Sequence, residues 1–338
     1  FLGSGKTTLL RYLLTFSERR LAVIVNEFGS VGLDGDLIKT CNICNDDDSL
    51  EERIVELNNG CLCCTVQDDF LPTMEALLKR SGDLDGIIVE TSGLALPRPL
   101  LKALQWPEVR SSVYVNGVVT LVNGEALSLG SPVGDLKSFN TQRSNDQSLD
   151  HMTPISELFN DQLKEADLVL ITRSDIIDLN ILEKIKSEIS LITRESTSIL
   201  PLSFGRIDPS VILGLIRHDK GGSNKFPVES EDHEDHHDHH HLSVISETVR
   251  LEINIQQNQL EEVLTMNIPK YKVLRIKGRC WLRNKSLPLQ VQMVGPRFNS
   301  WFEKVPETTW KPSSCGVDLV ILSLKDGAAE EITASLKS

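Results

Sequence analysis

The residues that could do chemistry begin at the start of the chain, where two glycines precede a lysine and two hydroxyl residues. The run is Phe1-Leu2-Gly3-Ser4-Gly5-Lys6-Thr7-Thr8. Glycines at this spacing let backbone N–H groups turn toward one point, and the N-terminus of a following helix adds positive partial charge. Gly5-Lys6-Thr7 matches the end of the phosphate-binding loop (P-loop), whose lysine reaches the β and γ phosphates and whose hydroxyl ligates Mg²⁺. The alternative, a Gly-Ser turn before an ordinary helix, is less favoured because Lys-Thr directly follows the second glycine.

Three cysteines form a second candidate site, Cys61-Leu62-Cys63-Cys64, directly after a glycine. Adjacent Cys63 and Cys64 do not easily point into one core, whereas thiolates that converge on one point suit Zn²⁺ or Cu(I). Three thiolates leave the fourth tetrahedral position open, which suits a metal that must be handed on. Buried free thiols are the alternative. For the separate Cys41/Cys44 pair, half a zinc site, a redox pair and chance all stay open.

Acidic residues follow two apolar runs that are typical of buried parallel strands. The run 21–25 leads into a segment with two glycines and with the carboxylates Glu27 and Asp34, which suits a switch that senses γ-phosphate. A polar surface turn is the alternative there. The run 86–89 leads into Glu90-Thr91-Ser92-Gly93. We predict that Glu90 acts on Mg²⁺ through water and that the N–H of Gly93 contacts γ-phosphate.

A base-reading site is predicted after the apolar run 168–171, at Thr172-Arg173-Ser174-Asp175. A carboxylate at Asp175 can accept two hydrogen bonds from guanine, one from N1–H and one from the N2 amino group. Adenine lacks that pair of donors, so the site would favour GTP. The segment 203–205, after a further strand, is expected to close over the base.

The elements that must position these residues follow from five short apolar runs, at 21–25, 86–89, 117–122, 168–171 and 198–203. They predict an α/β P-loop NTPase fold over residues 1–218, with a mostly parallel, doubly wound sheet. The first glycine of the phosphate pattern would sit one residue before Phe1, and we expect the strand that leads into the loop to precede Phe1 as well. Residues 124–156 are rich in Ser, Gly, Asn and Asp without periodicity and are predicted to be a mobile insertion.

A linker and a smaller domain are predicted after residue 218. Residues 219–245 are rich in Gly, Asp, Glu and His, and six histidines fall between His233 and His241. Weak metal binding and a solvated acidic linker are equally open for this tract. From Ser246 onward, alternating apolar residues and two helical patterns predict an α+β domain over 246–338.

Composition narrows the class of protein. The 338 residues carry a net charge of −13, which argues against nucleic acid or an anionic membrane as the main partner. No apolar run is long enough for a transmembrane helix, so we expect a location in the cytoplasm or in an organelle interior. Clustered cysteines beside a P-loop indicate thiols or metal ligands instead of a disulfide framework.

Together these motifs resemble the CobW-type P-loop GTPases, a metallochaperone family related to HypB and UreG. The resemblance rests on the P-loop, Asn26-Glu27-Phe28-Gly29, Asn59-Gly60-Cys61-Leu62-Cys63-Cys64, Glu90-Thr91-Ser92-Gly93, Asp161-Gln162, Ala166-Asp167, the His-rich linker and Val273-Leu274-Arg275-Ile276-Lys277-Gly278. It covers nearly the whole chain apart from residues 124–156. The Cys-x-Cys-Cys element in this context is the most specific part.

The resemblance implies a mostly parallel sheet with helices on both faces, followed by a smaller α+β domain. It also implies slow GTP hydrolysis coupled to delivery of a transition metal, often Zn²⁺, to a client metalloprotein. Cys61, Cys63 and Cys64 would then be the cargo ligands, and Asp34 would orient the attacking water. A nucleotide-dependent homodimer is a further expectation.

The chain departs from the family pattern at several positions. Thr172 and Arg173 stand where Asn-Lys is usual, although the flat guanidinium of Arg173 can still lie on the base. Asn123 stands where Asp is common, and Ser30 stands where Glu is common. We therefore expect guanine preference, but a weaker motif for it than the family has.

Two functions compete at this point. The first is a GTPase that loads a metal into a client protein. The second is a metal buffer, in which the cysteines and the His tract store metal and the nucleotide site is vestigial. The intact set of Lys6, Thr7 and Glu90 favours the GTPase.

Overall fold

The chain divides into two compact units, Phe1–Pro209 and Ser210–Ser338. This computed structural model describes residues 3–17, 19–25, 54–56, 70–91, 93, 95–134, 154–214, 244–306 and 309–338. The sequence placed the end of the first domain at residue 218. Each unit is considered by itself below.

The described part of the first unit contains six parallel strands: β1 (Leu21–Val25), β2 (Ile54–Glu56), β3 (Gly86–Glu90), β4 (Val119–Asn123), β5 (Leu168–Thr172) and β6 (Ser198–Leu202). Their hydrogen bonds join them into two sheets, in the orders β2-β1-β3 and β4-β5-β6. In register, Val25 lies opposite Glu90, and Asn123 lies opposite Thr172. The polar residues that end these strands therefore lie at the carboxyl edge of each sheet.

The described helices of the first unit are α1 (Lys6–Phe16), α2 (Leu71–Leu78), α3 (Pro97–Ala103), α4 (Pro107–Arg110), α5 (Gly124–Ser128), α6 (Ile155–Glu165) and α7 (Leu179–Ser190). Alternate residues of β1 face opposite layers. Ala22 and Ile24 are buried in a core with residues of α2, α3 and α4, whereas Val23 packs on Leu10 of α1. Helices thus cover both faces of this sheet, as the doubly wound prediction requires.

The predicted insertion over residues 124–156 is wrong at both ends. Helix α5 occupies Gly124–Ser128, where the Asn123 side chain accepts a hydrogen bond from Ala126 N, and α6 begins at Ile155. The Ser- and Gly-rich composition of residues 124–156 predicted no helix at this position. Helix α5 forms nevertheless, because the Asn123 side chain caps it and because it packs against α7. Residues 135–153 lie outside the described part, so mobility there stays a prediction.

The second unit contains one antiparallel sheet with the order β10-β9-β8-β11-β7. Its elements are α8 (Pro209–Leu213), β7 (Ile245–Glu252), α9 (Gln257–Tyr271), β8 (Val273–Trp281), β9 (Leu289–Val294), β10 (Arg297–Phe302), β11 (Gly316–Ser323) and α10 (Ala328–Lys337). Leu260, Leu264 and Ile332 of the helices are fully buried in a core with Ile276 and Leu319 of the strands. This is the α+β domain that the alternating pattern predicts.

Buried Arg275 fixes helix α8 to the second unit. Its guanidinium on β8 donates to the backbone carbonyls of Val211, at 2.6 Å, and Ile212. The chain around residues 210–214 thus belongs with the C-terminal sheet. No helix of the described ranges is long and apolar enough to cross a membrane.

Candidate functional site

The phosphate loop takes the backbone shape that its glycines predict. Gly3 and Gly5 have φ angles of +65° and +82°, in the left-handed region that glycine enters at little cost. Helix α1 begins at the next residue, Lys6, and Leu9 N donates to Gly5 O at 3.1 Å. Because the cap residue Gly5 brings no side chain, no cap group competes with an anion for the N–H groups of the first turn.

The side chains of the P-loop and the first turn of α1 differ in their solvent exposure. Ser4 is only 1% exposed, whereas Thr7 and Thr8 are exposed and Lys6 is half-buried. Leu9, Leu10 and Leu13 anchor the inner face of α1. The Thr7 hydroxyl is therefore accessible on the first helical turn, where an oxygen ligand for Mg²⁺ would have to be.

Asn123 joins the end of β4 to the phosphate loop. Its side-chain nitrogen donates to Gly3 O at 3.3 Å, and its side-chain oxygen accepts from Ala126 N at 3.1 Å. The residue is only 5% exposed. One side chain thus caps α5 and fixes a carbonyl of the P-loop.

Thr172 is placed under the same loop at the end of β5. Its hydroxyl donates to Val122 O at 3.1 Å, which ties β5 to β4, and its methyl group lies 3.8 Å from where a Cβ on Gly5 would be. The backbone of Gly124 passes close to the Thr172 carbonyl oxygen. Only glycine fits there, because a Cβ on residue 124 would lie 2.9 Å from Thr172 O. Thr172 therefore supports the site through its packing and its bond to the neighbouring strand.

Arg173 is turned toward α5. It adopts a left-handed φ of +56°, and its guanidinium forms an ion pair with Glu125. The next residues, Ser174–Ile176, form one turn of 3-10 helix that carries Asp175 on its exposed side. The predicted base carboxylate is thus presented to solvent on a short turn that directly follows Arg173.

The segment after β6 packs against both the base turn and α1. Ser203 Oγ lies 3.1 Å from Ser174 Oγ. Gly205 (φ +70°) passes so close to α1 that a Cβ would be 2.8 Å from the Thr8 methyl carbon. Between them, Phe204 has a φ of +54° and is 63% exposed. The segment that was expected to close over the base therefore connects the P-loop helix to the turn with Asp175.

The segment after β3 is held by an amide from α6. Glu90 ends β3, and Gly93 is buried. Gln162 Nε2 donates to Gly93 O at 3.0 Å and to Ala95 O at 2.9 Å. Gly93, where the contact with γ-phosphate is predicted, and Ala95 are thus attached to a helix far away in the sequence.

The predicted metal cargo ligands Cys61, Cys63 and Cys64 and the predicted switch residue Asp34 lie outside the described residues, as do Cys41 and Cys44. Within the described ranges, no group of three or more His, Cys, Asp or Glu residues could hold a metal ion. The structure therefore describes most residues of the predicted nucleotide site, whereas the predicted cargo-metal site stays a prediction.

The two described cysteines are unsuited to binding a metal. Cys280 and Cys315 are buried free thiols of the C-terminal unit. Burial, with a smaller contribution from Cys315, raises the pKa of Cys280 to about 12. A thiol whose pKa is raised this far is a poor metal ligand, because metals bind the thiolate and its proton is costly to remove. These two residues act as small core side chains.

Sequence reasoning gave no site role to Asn123, Gln162 or Glu125. A signal existed for Asn123, since it follows the last apolar residue of a parallel strand, the edge where such sheets bind ligands. Gln162 also offered a signal, because it is a polar residue next to Leu163 in a helical segment with a buried face. A buried polar side chain needs hydrogen-bond partners. Nothing in the sequence pointed Glu125 toward Arg173.

Comparison with known proteins agrees with this geometry. The family profile described as "CobW/HypB/UreG, nucleotide-binding domain" matches residues 1–199, and the "Cobalamin synthesis protein cobW C-terminal domain" matches residues 244–338. The fold and the site define a P-loop nucleotide-binding protein with a separate C-terminal α+β domain. The chain belongs to the CobW/HypB/UreG family, whose members are GTPases. The predicted family, fold class and enzyme class are confirmed.

Two relatives match over most of their length, and a third over less than half of it. The chain is 43% identical to a protein of Pseudomonas aeruginosa named "Zinc chaperone CobW", over 305 residues that cover 90% of this chain and 81% of the relative. It is 37% identical to a protein of the same name from a Sinorhizobium species, with 99% and 94% of the two chains covered. It is 30% identical to "Zinc-regulated GTPase metalloprotein activator 1" of Schizosaccharomyces pombe, with 62% and 45% covered.

Proposed function

We propose that this protein is a GTP-hydrolysing metallochaperone, which binds a transition metal at Cys61, Cys63 and Cys64 and delivers it to a client metalloprotein. The observation that carries the proposal is the arrangement of the P-loop. Its glycines are in left-handed conformation, its helix begins without a capping side chain, and it adjoins the turn with Asp175. The names of the relatives support zinc as the metal.

The roles of the site residues follow from their chemistry. Lys6 binds the β and γ phosphates, and Gly3, Ser4, Gly5 and Thr8 shape the phosphate cradle. Mg²⁺ fits the oxygen donors present, with Thr7 as a direct ligand and Glu90 acting through water. It would neutralise charge on the phosphates. The Gly93 N–H contacts γ-phosphate, and Asp34 orients the attacking water.

Guanine recognition is proposed at the turn after β5. Asp175 accepts from N1–H and the N2 amino group, and the exposed position of this carboxylate suits that contact. Arg173 forms an ion pair with Glu125 on α5, so its guanidinium is directed toward that helix. Thr172 contributes by supporting both the turn and the P-loop.

Zinc transfer must be coupled to the nucleotide for the protein to act as a chaperone. A metal that binds more tightly in one nucleotide state must, by linkage, shift nucleotide affinity by the same factor, for which about 1–3 kcal/mol is ordinary. Binding through thiolates should release protons and weaken as pH falls. A buffer with a vestigial nucleotide site would show neither turnover nor coupling.

The first experiment separates the chaperone from the buffer. GTP turnover is measured with Mg²⁺, in the presence and absence of Zn²⁺. We expect hydrolysis whose rate or nucleotide affinity depends on zinc. Failure of the protein to hydrolyse GTP under both conditions would support the buffer.

The second experiment locates the metal. Replacement of Cys63 and Cys64 by Ser should abolish tight Zn²⁺ binding and the effect of zinc on GTP affinity. Deletion of residues 231–241 should leave both nearly unchanged, because bringing histidines of a segment with linker composition to one point costs conformational entropy. The matched control is Cys41→Ser with Cys44→Ser, which removes an equal number of thiols. Loss of the tight site in the deletion, with retention in the Cys63/Cys64 variant, would assign the metal to the tract.

A further inference from the structure

Gln162 makes an unusual pair of contacts for a side chain on the inner face of a helix. It lies on α6, is 5% exposed, and donates through one nitrogen to the carbonyls of Gly93, at 3.0 Å, and Ala95, at 2.9 Å. An amide NH₂ has two donor hydrogens, so both are used on one short stretch of backbone. Gly93 and Ala95 lie between β3 and α3 and belong to neither a helix nor a strand.

The helix that carries Gln162 is fixed from the other side. Thr120 Oγ1 on β4 donates to the backbone oxygen of Gln162 at 3.4 Å, and the next residue, Leu163, is fully buried in the core. At the end of α6, Glu165 forms an ion pair of 2.6 Å with Arg98 of α3. The amide therefore attaches the segment after β3 to an element that packing holds in place.

The attachment determines where the peptide planes of this segment point. The carbonyl and the N–H of Gly93 lie in neighbouring peptide planes that meet at its Cα, so fixing the carbonyls of Gly93 and Ala95 holds this Cα in place and limits where the Gly93 N–H can lie. Without the amide, two buried carbonyl oxygens would lack these donors, and the segment would have to reorganise to satisfy them. Gly93 is the residue whose N–H is proposed to meet γ-phosphate, so the direction of its peptide decides how well that contact forms.

We propose that Gln162 is a positioning residue, which holds the Gly93–Ala95 backbone in the orientation that binds γ-phosphate and so makes the protein prefer GTP to GDP. The inference rests on the proposed function, because it assigns a cause to the nucleotide discrimination of that same site. Gln162 acts through the backbone and does not itself touch the nucleotide. GDP lacks the γ-phosphate, so its binding should be nearly independent of this side chain.

The test compares the dissociation constants of a non-hydrolysable GTP analogue and of GDP, together with kcat for GTP. Gln162→Met keeps the length of the side chain and removes both donors. We expect the preference for the GTP analogue over GDP to fall at least tenfold, kcat to fall with it, and the GDP dissociation constant to change less than twofold. Thr120→Val is the control, because it removes a bond to the same helix at a similarly buried position and should leave the preference unchanged.

Several results would overturn the proposal. A preference within twofold of the parent in Gln162→Met, or an equal loss in Thr120→Val, would show that the amide has no specific role. If Gln162→Met does not fold, Gln162→Asn keeps the amide one carbon shorter, and it must show the same loss. A parent protein that binds neither nucleotide would refute the proposed function itself, whereas turnover that is unaffected by Gln162→Met would refute only the role of Gln162.

Discussion

Asn123 offers a sharp test of how the P-loop is supported, since its side chain makes one bond to the loop and another to α5. Asn123→Ala removes both. Loss of a helix N-cap costs about 1 kcal/mol, and loss of the bond to Gly3 costs about 1 kcal/mol more. For a unit of this size, the total of roughly 2 kcal/mol lowers Tm by roughly 4–8 °C.

The same variant should weaken nucleotide binding, because the Gly3 carbonyl loses the donor that orients it. The expected loss is about fivefold, which corresponds to about 1 kcal/mol. Asn123→Ser separates the two bonds, since a serine hydroxyl can still cap α5 but is too short to reach Gly3. Asn123→Ser should be destabilised less than Asn123→Ala. Its nucleotide affinity should fall by the same factor as that of Asn123→Ala.

Asp178 provides the matched control. Its side chain caps α7, a helix that follows the base turn, by accepting from Asn180 N at 2.8 Å. Asp178→Ala should therefore cost about 1 kcal/mol in urea unfolding, with nucleotide affinity unchanged by calorimetry. The reasoning is refuted if Asn123→Ser binds nucleotide as the parent does, or if Asp178→Ala weakens binding as much as Asn123→Ala.

Three further predictions address the base turn, the strand junction and the C-terminal core. Asp175→Ala should cost roughly 2–4 kcal/mol of GTP binding, and equal affinity of the parent for ATP and GTP would contradict guanine recognition. Gly124→Ala should lose about 1–3 kcal/mol in urea unfolding, since its Cβ would strike β5, whereas Gly82→Ala, with nothing within 4 Å, should be nearly neutral. Because burial raises the pKa of Cys280 to about 12, while an unfolded thiol titrates near 8.5, the unfolded state loses its proton first. Stability should therefore be complete below about pH 8.5 and fall as pH rises toward 12. Cys280→Ala should flatten this dependence in denaturation curves from pH 8 to 10, and an unchanged slope would contradict it.

The C-terminal unit shows where local pattern was sufficient and where it was not. Strands β7 and β9 were expected from alternating apolar residues, and β8 and β11 from the largely apolar segments 273–276 and 317–322. All four contribute to one core. Strand β10 was missed, since Arg297–Phe302 has no clear alternation and forms by pairing with β9, with Asn299 opposite Gln292. The first of the two helical patterns in this domain, at residues 260–266, predicts a helix shorter than α9, which runs from Gln257 to Tyr271 through Pro269.

The sequence by itself determined the elements whose causes are local. The positive φ angles of Gly3 and Gly5 follow from residue type, the start of α1 follows from the glycine before it, and the apolar runs form buried strands. Family membership followed from the same motifs, because the residues that meet phosphate are adjacent in the chain. These predictions needed no knowledge of which strands become neighbours.

Only the tertiary structure decided which distant residues support the site. Asn123 reaches Gly3 across 120 positions, and Gln162 reaches Gly93 across 69. An amide side chain has the same donors and acceptor wherever it occurs, so its partner is set by the elements that packing brings beside it. The pairing of β4 with β5 and the burial of α6 against them bring these amides to backbone carbonyls that need donors, and no local pattern in the sequence contains that information.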